Sequence, residues 1–147
     1  MRQVFSEGQG VTRVLAKDLQ RYRADGEDDD KFERHMETRL RSYGIAFERQ
    51  FCWVDYDRLA GLNYPKTPAG KPRRWTADFA ILKERILIEC DGSVWSGGGH
   101  TFGGGYTTDR ARDNEALCNN WRTIRVTSGQ VESDEAIGWI VRILGGK

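Results

Sequence analysis

The sequence predicts a mixed fold of the α/β class, in one domain of 147 residues. Apolar residues recur at helical spacing in four segments, and a polar pair joins two short apolar runs in the middle of the chain. A further apolar run separates the last two predicted helices. The predicted order is helix, helix, three strands, helix, strand, helix, with helices flanking a mixed central sheet of about four strands.

The N-terminal part of the chain is predicted to hold two helices and one strand. The helices cover residues 12–23 and 31–43, and the acidic segment between them, residues 24–30, is interpreted as a loop with five acids and no base. Residues 45–54 are rich in aromatic and β-branched side chains, which indicates a strand. Residues 55–72 contain all three prolines and show little periodicity, so they are predicted to form a surface loop.

The centre of the chain predicts a hairpin. Trp75 to Leu82 and Arg85 to Cys90 are the two apolar runs, and a glycine-rich loop over residues 92–107 follows them. The remaining predicted elements are a helix, a strand and a helix, at residues 108–120, 121–127 and 132–144. The predicted parts of the domain are an N-terminal helix with its acidic loop at 1–30, a core at 31–131, and a C-terminal helix at 132–147.

Composition limits the classes of function. The chain is 38% hydrophobic and 31% charged, which is typical of a globular domain. No apolar run is long enough to span a bilayer and no signal peptide is recognised, so no membrane partner is expected. The three cysteines are widely spaced and lack a CxxC pair, which argues against a disulfide framework or structural zinc and favours a reducing cytoplasm.

Three acids interrupt the hairpin at positions that would otherwise belong to the core. Asp78 lies in the first strand, and Glu89 and Asp91 lie at the end of the second. Alternate residues on a strand point the same way, so Glu89 and Asp91 share a face, with Asp78 near it on the neighbouring strand. Crowded carboxylates repel each other, and a divalent cation with oxygen ligands is their obvious partner. Taken alone, Asp91 followed by Gly92 is more typical of a turn.

The basic residues suggest a polyanionic partner. Residues 31–125 hold 16 Lys or Arg against 12 Asp or Glu, and several of those acids belong to the candidate metal site. A basic surface around an acidic pocket suits a phosphate polymer that is cut with a metal ion. Lys71, Arg73 and Arg74 lead into the strand that carries Asp78, so they are candidate DNA-binding residues. Solubilisation of a surface loop is the alternative role.

The glycine-rich loop is a second candidate for function. It carries two glycine triplets with aromatic residues and one histidine among them: Trp95, His100, Phe102 and Tyr106. Long glycine-rich loops beside polar sites commonly carry function. Such a loop can mould to a ligand, and His100 would supply a group for proton transfer. An irregular surface loop is the alternative.

Together these motifs form a recognisable pattern. The stretch RRWTADFAI…LIECDGSVWSGGGHTFGGGYTTDRARDNEAL…WRTIRVT, with an acid on the preceding helix, resembles the PD-(D/E)XK nuclease superfamily over residues 33–131. More closely, it resembles a phage and bacterial group related to very-short-patch-repair endonucleases. The resemblance implies a restriction-endonuclease-like core and a hydrolase of DNA repair type, a metal-dependent endonuclease that cuts phosphodiester bonds.

The resemblance also implies roles for individual residues. Asp78, Glu89 and the backbone carbonyl of Cys90 would hold Mg²⁺, with Mn²⁺ as an alternative ion. The resemblance implies Glu33 as the helical acid, with Glu37 as the other candidate, and His100, Asp109 and Asn114 as site or loop-anchoring residues. With Asp91, which could help bind a second ion, and Arg112, which is inferred by position, the candidate catalytic residues are Glu33, Asp78, Glu89, Asp91, His100, Asp109 and Arg112.

Two positions depart from the family pattern. The lysine expected two residues after Glu89 is Asp91, so the usual positive charge is missing there, and Gly99 stands where relatives often have an arginine before the loop histidine. Arg112, one turn after Asp109, is the candidate replacement for the missing charge.

Other functions stay open at this stage. One is a catalytically impaired DNA-binding protein of the same fold, and another is a branched-DNA (Holliday junction) resolvase acting as a homodimer. A third is an interaction protein that docks a partner through the acidic segment. No base-reading motif is present, so the sequence does not indicate a DNA sequence or structure preference.

Overall fold

The computed structural model describes the backbone of residues 27–91 and 104–145, and side chains from residues 31 and 107 onward in these two segments. The predicted helix at 12–23, most of the glycine-rich loop with His100, and the last two residues lie outside the described residues. No helix in the described part of the chain has the length and apolar character needed to cross a membrane.

Helix α1 (Glu27–Ser42) begins earlier than residue 31, where the sequence pattern placed it. Residues 27–30 are therefore helical, and the prediction of a loop over them is wrong. Acids in the first turn of a helix are favoured by the helix dipole, so an acidic composition does not exclude a helix there. Met36 and Leu40 are fully buried and attach α1 to the sheet.

Strand β1 (Glu48–Phe51) is shorter than the strand predicted over 45–54, and helix α2 (Trp53–Leu59) follows it. The strand prediction at the end of that run is wrong, and so is the loop prediction for the first residues of 55–72. The apolar run ends on residues that are buried on one face of α2: Trp53, Val54 and Asp57. The spacing of these buried residues is helical, but the segment that shows it is too short to outweigh the strand pattern before it.

Strands β2 (Ala77–Ile81) and β3 (Ile86–Cys90) form the predicted hairpin. The two strands pair antiparallel, and the Arg85 N–H donates to the Leu82 carbonyl at 3.1 Å in the turn. Arg85 has a φ of +54°, a left-handed conformation that helps the chain reverse within a tight turn.

The C-terminal elements are helix α3 (Gly104–Cys118), strand β4 (Arg122–Val126), helix α4 (Ser128–Glu132) and helix α5 (Glu135–Ile143). The loop prediction is wrong from residue 104 onward, because α3 begins there. The helix predicted over 132–144 corresponds to α5, whereas α4 lies before it and was not predicted; the two are separated near Asp134 with its φ of +65°. Thr127 caps α4, since its hydroxyl accepts from the Gln130 N–H at 3.3 Å and the Gln130 side chain accepts from the Thr127 N–H at 3.0 Å.

The four strands form one mixed sheet in the order β1-β2-β3-β4. The β1–β2 and β2–β3 pairs are antiparallel, and the β3–β4 pair is parallel with α3 in the connection. One face of the sheet packs against α2 and α3, through residues such as Trp53 and Ala116. The other packs against α1, α4 and α5, through residues such as Met36 and Ile137. The predicted α/β class and the four-stranded mixed sheet flanked by helices are therefore confirmed.

A buried polar cluster, which we call the Asp57 cluster, joins α2 to the sheet and consists of Asp57, Arg85, Asn119 and Trp121. Asp57 is fully buried, and its two carboxylate oxygens accept from Arg85 Nη2 at 3.0 and 2.9 Å. Asn119 Nδ2 at 3.1 Å and Trp121 Nε1 at 2.9 Å also donate to Asp57. The Arg85 guanidinium lies 4.1 Å from the centre of the Trp121 ring. The cluster therefore connects α2, the hairpin turn and the segment before β4.

The three cysteines are free and differ in exposure. Cys52 is buried, and burial raises the pKa of its thiol to about 12. Cys90 is half-buried at the end of β3, and burial again raises its thiol pKa. Cys118 is the last residue of α3 and is exposed.

Candidate active site

Asp78 and Glu89 lie one position beyond the last paired residues of β2 and β3. In the β2–β3 pair Phe79 lies opposite Ile88, so the next position along the register matches Asp78 with Glu89. Directly opposed residues of antiparallel strands share a face of the sheet and have Cβ atoms about 5 Å apart. The negative charge of Glu89 acts on Asp78, so the two carboxylates lie near each other at the end of the hairpin.

The row continues on both neighbouring strands. The β3–β4 register pairs Glu89 with Arg125. The β1–β2 register, taken from the pairs on either side, matches Gln50 with Asp78. All four strands therefore contribute one residue to what we call the polar row: Gln50, Asp78, Glu89 and Arg125.

Asp78 lies in a crowded and weakly hydrated environment. Its Oδ2 accepts a hydrogen bond from the Cys90 N–H at 2.7 Å, and its carboxyl group shares a hydrogen bond with the side chain of Glu33 on α1. Burial raises the pKa of Asp78 to about 9, and the negative charges of Glu89 and Glu33 add to the rise. With its pKa raised to about 9, Asp78 keeps its proton at neutral pH in the metal-free protein.

Glu89 experiences charges of both signs. Burial raises its pKa to about 7, Arg112 and Arg125 oppose that rise, and Asp91 and Asp113 add to it. The two arginines belong to α3 and β4. The end of the hairpin is therefore flanked by positive charges on α3 and on β4.

Arg125 links the end of β3 to α3. Its Nη1 donates to Asp91 Oδ1 at 2.9 Å, and its Nε and Nη2 donate to the Asp113 carboxylate at 3.0 and 2.7 Å. The position where the family pattern has a lysine thus holds an acid that is paired with an arginine of the next strand. Arg125 was not predicted as a site residue, although an arginine inside the short predicted strand WRTIRVT was a signal for it.

The structure separates the two candidates for the helical acid. Glu33 reaches Asp78, and its oxygens accept from Arg49 Nη2 at 2.9 Å and from Gln50 Nε2 at 3.1 and 3.2 Å. Glu37, one turn later on α1, accepts from Arg49 Nη1 at 3.0 Å. Glu33 therefore belongs to the site, and Glu37 helps to hold Arg49.

Gln50, which binds Glu33, is another site residue that was not predicted from the sequence. Its φ is +49°, in the left-handed region that few residues other than glycine, asparagine and aspartate adopt. A strained backbone conformation of this kind is often found beside functional groups. The signal in the sequence was the polar stretch Glu48-Arg49-Gln50 between Phe47 and Phe51 of the predicted strand.

The other candidates are less central. Asp109 pairs with Arg112 within α3, with 3.3 Å between Asp109 Oδ1 and Arg112 Nη2. Asn114, on the same helix, is exposed. The three candidate DNA-binding residues lie in the segment that precedes β2: Lys71, Arg73 and Arg74.

The donor atoms fit a hard divalent cation of the magnesium type. Within residues 27–91 and 104–145, no group of three or more His, Cys, Asp or Glu side chains is arranged to hold a metal ion. The donor set under consideration instead has two side chains and one backbone oxygen: Asp78, Glu89 and the Cys90 carbonyl. Mg²⁺ in proteins commonly keeps several waters and binds only one or two carboxylates. A divalent cation would also relieve the repulsion that contributes to the raised pKa of Asp78.

Comparisons with known proteins add no assignment. No protein-family model matches the chain, and searches of the curated proteins and of the solved structures gave no significant match. The nuclease resemblance therefore stays a prediction.

The metal-free protein is expected to lose stability as the pH rises from about 5 to about 9. Asp78 and Glu89 have ordinary pKa values of 3.8 and 4.5 and raised values of about 9 and about 7 in the fold. Over this range the folded chain holds protons that the unfolded chain has released, so the free energy of unfolding falls with pH. Melting temperatures in EDTA across this range measure the effect. Asp78→Asn should give a flatter profile, and an unchanged slope would contradict the raised pKa of Asp78.

Gln50→Gly is expected to be more stable than Gln50→Ala by roughly 0.5–1 kcal/mol, because glycine relieves about 1–2 kcal/mol of left-handed strain and loses part of that gain to backbone entropy. Both variants lose the amide that binds Glu33, so the comparison isolates the backbone conformation. Urea unfolding of the two variants measures the difference. Equal stabilities would mean that the backbone at position 50 relaxes without cost.

Proposed function

We propose that this chain is a metal-dependent DNA endonuclease of the PD-(D/E)XK superfamily, with a restriction-endonuclease-like core. The observation that carries the proposal is the proximity of Asp78 on β2 to Glu89 at the end of β3 and to Glu33 on α1, whose negative charges both act on it. Two hairpin acids and one helical acid at the end of a mixed sheet are what the resemblance implies. The four-stranded sheet flanked by helices is compatible with that core.

The acids would hold the ion and control a proton. Asp78, Glu89 and the backbone carbonyl of Cys90 would bind Mg²⁺ or Mn²⁺. The bound ion would lower the pKa of its water and neutralise charge on the phosphate under attack. Glu33 shares a hydrogen bond with Asp78, so it orients that carboxyl group. His100 remains the predicted residue for proton exchange with the attacking water or the leaving 3′ oxygen.

Arg112 is the candidate for the positive charge that the family pattern places on a lysine. It lies on α3, and its charge acts on Glu89. Its Nη2 contacts Asp109, whereas its Nε is buried and has no hydrogen-bond partner among the described side chains. A phosphate oxygen would accept from this donor, so Arg112 would bind the scissile phosphate and stabilise the charge that develops on it.

The basic residues before β2 would position the DNA backbone: Lys71, Arg73 and Arg74. Phosphate contacts of this kind set orientation and make binding strongly dependent on salt. We place this activity in the cytoplasm, in keeping with the free cysteines.

The wild-type protein is expected to nick or linearise supercoiled plasmid with Mg²⁺ or Mn²⁺ and to lose this activity in excess EDTA. A panel of four-way junction, mismatched duplex and single strand then defines the preferred substrate, and light scattering gives the oligomeric state. Glu89→Gln removes the charge of one proposed ligand and should abolish cleavage, whereas Glu132→Gln on α4 is the matched control and should cut normally. Absence of cleavage on every substrate, or full activity of Glu89→Gln, would refute the proposal.

Specific observations favour a second candidate, a DNA-binding protein of the same fold with impaired catalysis. Asp91 stands where a lysine is expected, and Arg125 pairs with it at 2.9 Å. This candidate predicts salt-dependent DNA binding with no cleavage in either metal. A branched-DNA resolvase acting as a homodimer is a further outcome that the substrate panel and light scattering would identify.

A further inference from the structure

The segment at 64–74, which overlaps the surface loop predicted over 55–72, contains a tight turn closed by one antiparallel bridge, and we call it the basic ribbon. Lys66 and Pro72 form an antiparallel bridge, and the Thr67 N–H donates to the Lys71 carbonyl at 2.7 Å. At the tip, the Gly70 N–H donates to the Thr67 carbonyl at 2.8 Å, and Gly70 has a φ of +82°, which suits glycine. The ribbon therefore has a defined tip and two defined sides.

Aromatic side chains support the base of the basic ribbon. The Lys66 ammonium lies 5.1 Å from the centre of the Tyr64 ring, and the Arg73 guanidinium lies 5.3 Å from the centre of the Trp75 ring. Trp75 in turn packs against buried Trp53 of α2, with ring centres 6.3 Å apart. Cation–π contacts of this kind restrict the cations while leaving charge available to a ligand. The base is thereby fixed to the apolar core.

The tip of the basic ribbon is exposed, small and flanked by charge. Its apex consists of Pro68, Ala69 and Gly70, all exposed, and Lys66 and Lys71 stand exposed on the two sides. None of the three apex side chains carries a hydrogen-bond donor or acceptor. A tip of this composition can approach a surface of base edges closely while the two lysines meet the phosphates beside it.

The basic ribbon leads directly into the strand that carries Asp78. Five residues of chain from Arg73 to Asp78 span at most about 18 Å. One turn of duplex DNA is about 34 Å long, so this reach is about half a turn. If a phosphate of a DNA duplex lies at Asp78, a groove of the same duplex therefore lies close enough for the basic ribbon to contact it.

We propose that the basic ribbon enters the major groove of duplex DNA beside the cleaved phosphate, with Lys66 and Lys71 on the phosphates of the opposite groove walls. This inference rests on the proposed function and adds duplex recognition to it. Paired strands are about 4.8 Å apart before side chains are added, so a two-stranded ribbon fits the major groove, about 12 Å wide, but not the minor groove, about 6 Å wide. The apolar apex meets base edges without reading their hydrogen bonds, which gives a preference for duplex with little sequence selectivity.

The test compares Lys66→Ala/Lys71→Ala with a matched control, Lys83→Ala/Arg142→Ala, which removes two exposed charges from the hairpin turn and α5. Binding to a duplex is measured in EDTA over a range of salt concentrations. The ribbon variant should reduce the slope of log affinity against log salt by about two, because two phosphate contacts are lost. The control should keep the wild-type slope. An unchanged slope in the ribbon variant would overturn the proposal.

Modified duplexes identify the groove. Bulky groups on pyrimidine C5 project into the major groove, and groups on guanine N2 project into the minor groove. The C5 groups should weaken wild-type binding, and the N2 groups should leave it unchanged; the reverse pattern would overturn major-groove entry. Plasmid cleavage by the wild type separates the two proposals. If the wild type cuts DNA and the ribbon variant binds like wild type, the ribbon proposal alone fails, and if the wild type neither cuts nor binds DNA, both fail.

Discussion

Asp78→Asn is expected to lower the rate of metal-dependent DNA cleavage by about 1,000-fold or more. The substitution removes the charge of a proposed ion ligand but keeps an oxygen that can accept the Cys90 N–H, which lies 2.7 Å from Asp78 Oδ2. Loss of one preorganised group that stabilises developing charge costs roughly 100- to 1,000-fold, and weaker binding of the ion adds to that loss. Single-turnover cleavage of plasmid with saturating Mg²⁺ measures the effect.

The same variant is expected to be more stable than the wild type in metal-free buffer at about pH 8. Asp78 lies beside Glu89 and Glu33, so the amide removes a repulsion that the folded chain otherwise carries. Lost activity together with increased stability is the result expected of a group that is placed for function and not for folding. Glu132→Gln should change neither property. Cleavage by Asp78→Asn at the wild-type rate would exclude Asp78 as an ion ligand.

Asp57→Asn is expected to destabilise the fold by about 3–5 kcal/mol, the cost of breaking a buried ion pair. Asp57 accepts from three donor groups and provides the negative charge beside Arg85. An asparagine would place its own NH₂ group against those donors. For a chain of this length the loss corresponds to a fall in melting temperature of roughly 10 °C, which circular dichroism or calorimetry can measure.

Asp134→Asn is the matched control for this experiment. Asp134 also pairs with an arginine, at 2.7 Å from Arg39 Nε, but the Asp134 side chain is 62% exposed. Its left-handed φ suits asparagine, and an exposed ion pair contributes less than about 1 kcal/mol. If the two substitutions lower the free energy of unfolding by the same amount, the contribution of the Asp57 cluster to stability does not depend on its burial.

The hairpin could be predicted from the sequence because its signals are local. The pair Lys83-Glu84 lies within the observed turn, and the strands on either side differ from their predicted limits by two residues at most at each end. Once the turn is placed, the register follows, and the proximity of Asp78 and Glu89 follows from the register. Most of the candidate site could therefore be located without coordinates.

Features that depend on distant residues could not be predicted. Asp57 is 28 residues from Arg85 and 64 from Trp121, and nothing local to Asp57 indicates that it will be buried. Helix α2 was missed for a related reason, since its N-cap residue, Cys52, makes no side-chain capping bond that a sequence motif would announce. In both cases tertiary packing determines the structure, and the local sequence pattern does not indicate it.

The contributions of Gln50 and Arg125 to the site could not be predicted from the sequence either. Each lies on an outer strand of the sheet, and each joins the polar row only through the pairing of that strand with β2 or β3. The left-handed φ of Gln50 is in addition a conformation that the residue type does not favour. Polar residues inside short apolar strands are the signal that would have identified both.

The different exposures of the three thiols make the wild-type chain suitable for spectroscopy without any cysteine replacement. A maleimide dye should attach at Cys118, because Cys52 is buried and burial also holds Cys90 in its unreactive protonated form. The dye would stand at the end of α3, the helix that also carries Arg112. Its fluorescence would report how that helix responds when nucleic acid arrives, while every acid proposed to bind the ion keeps its native side chain.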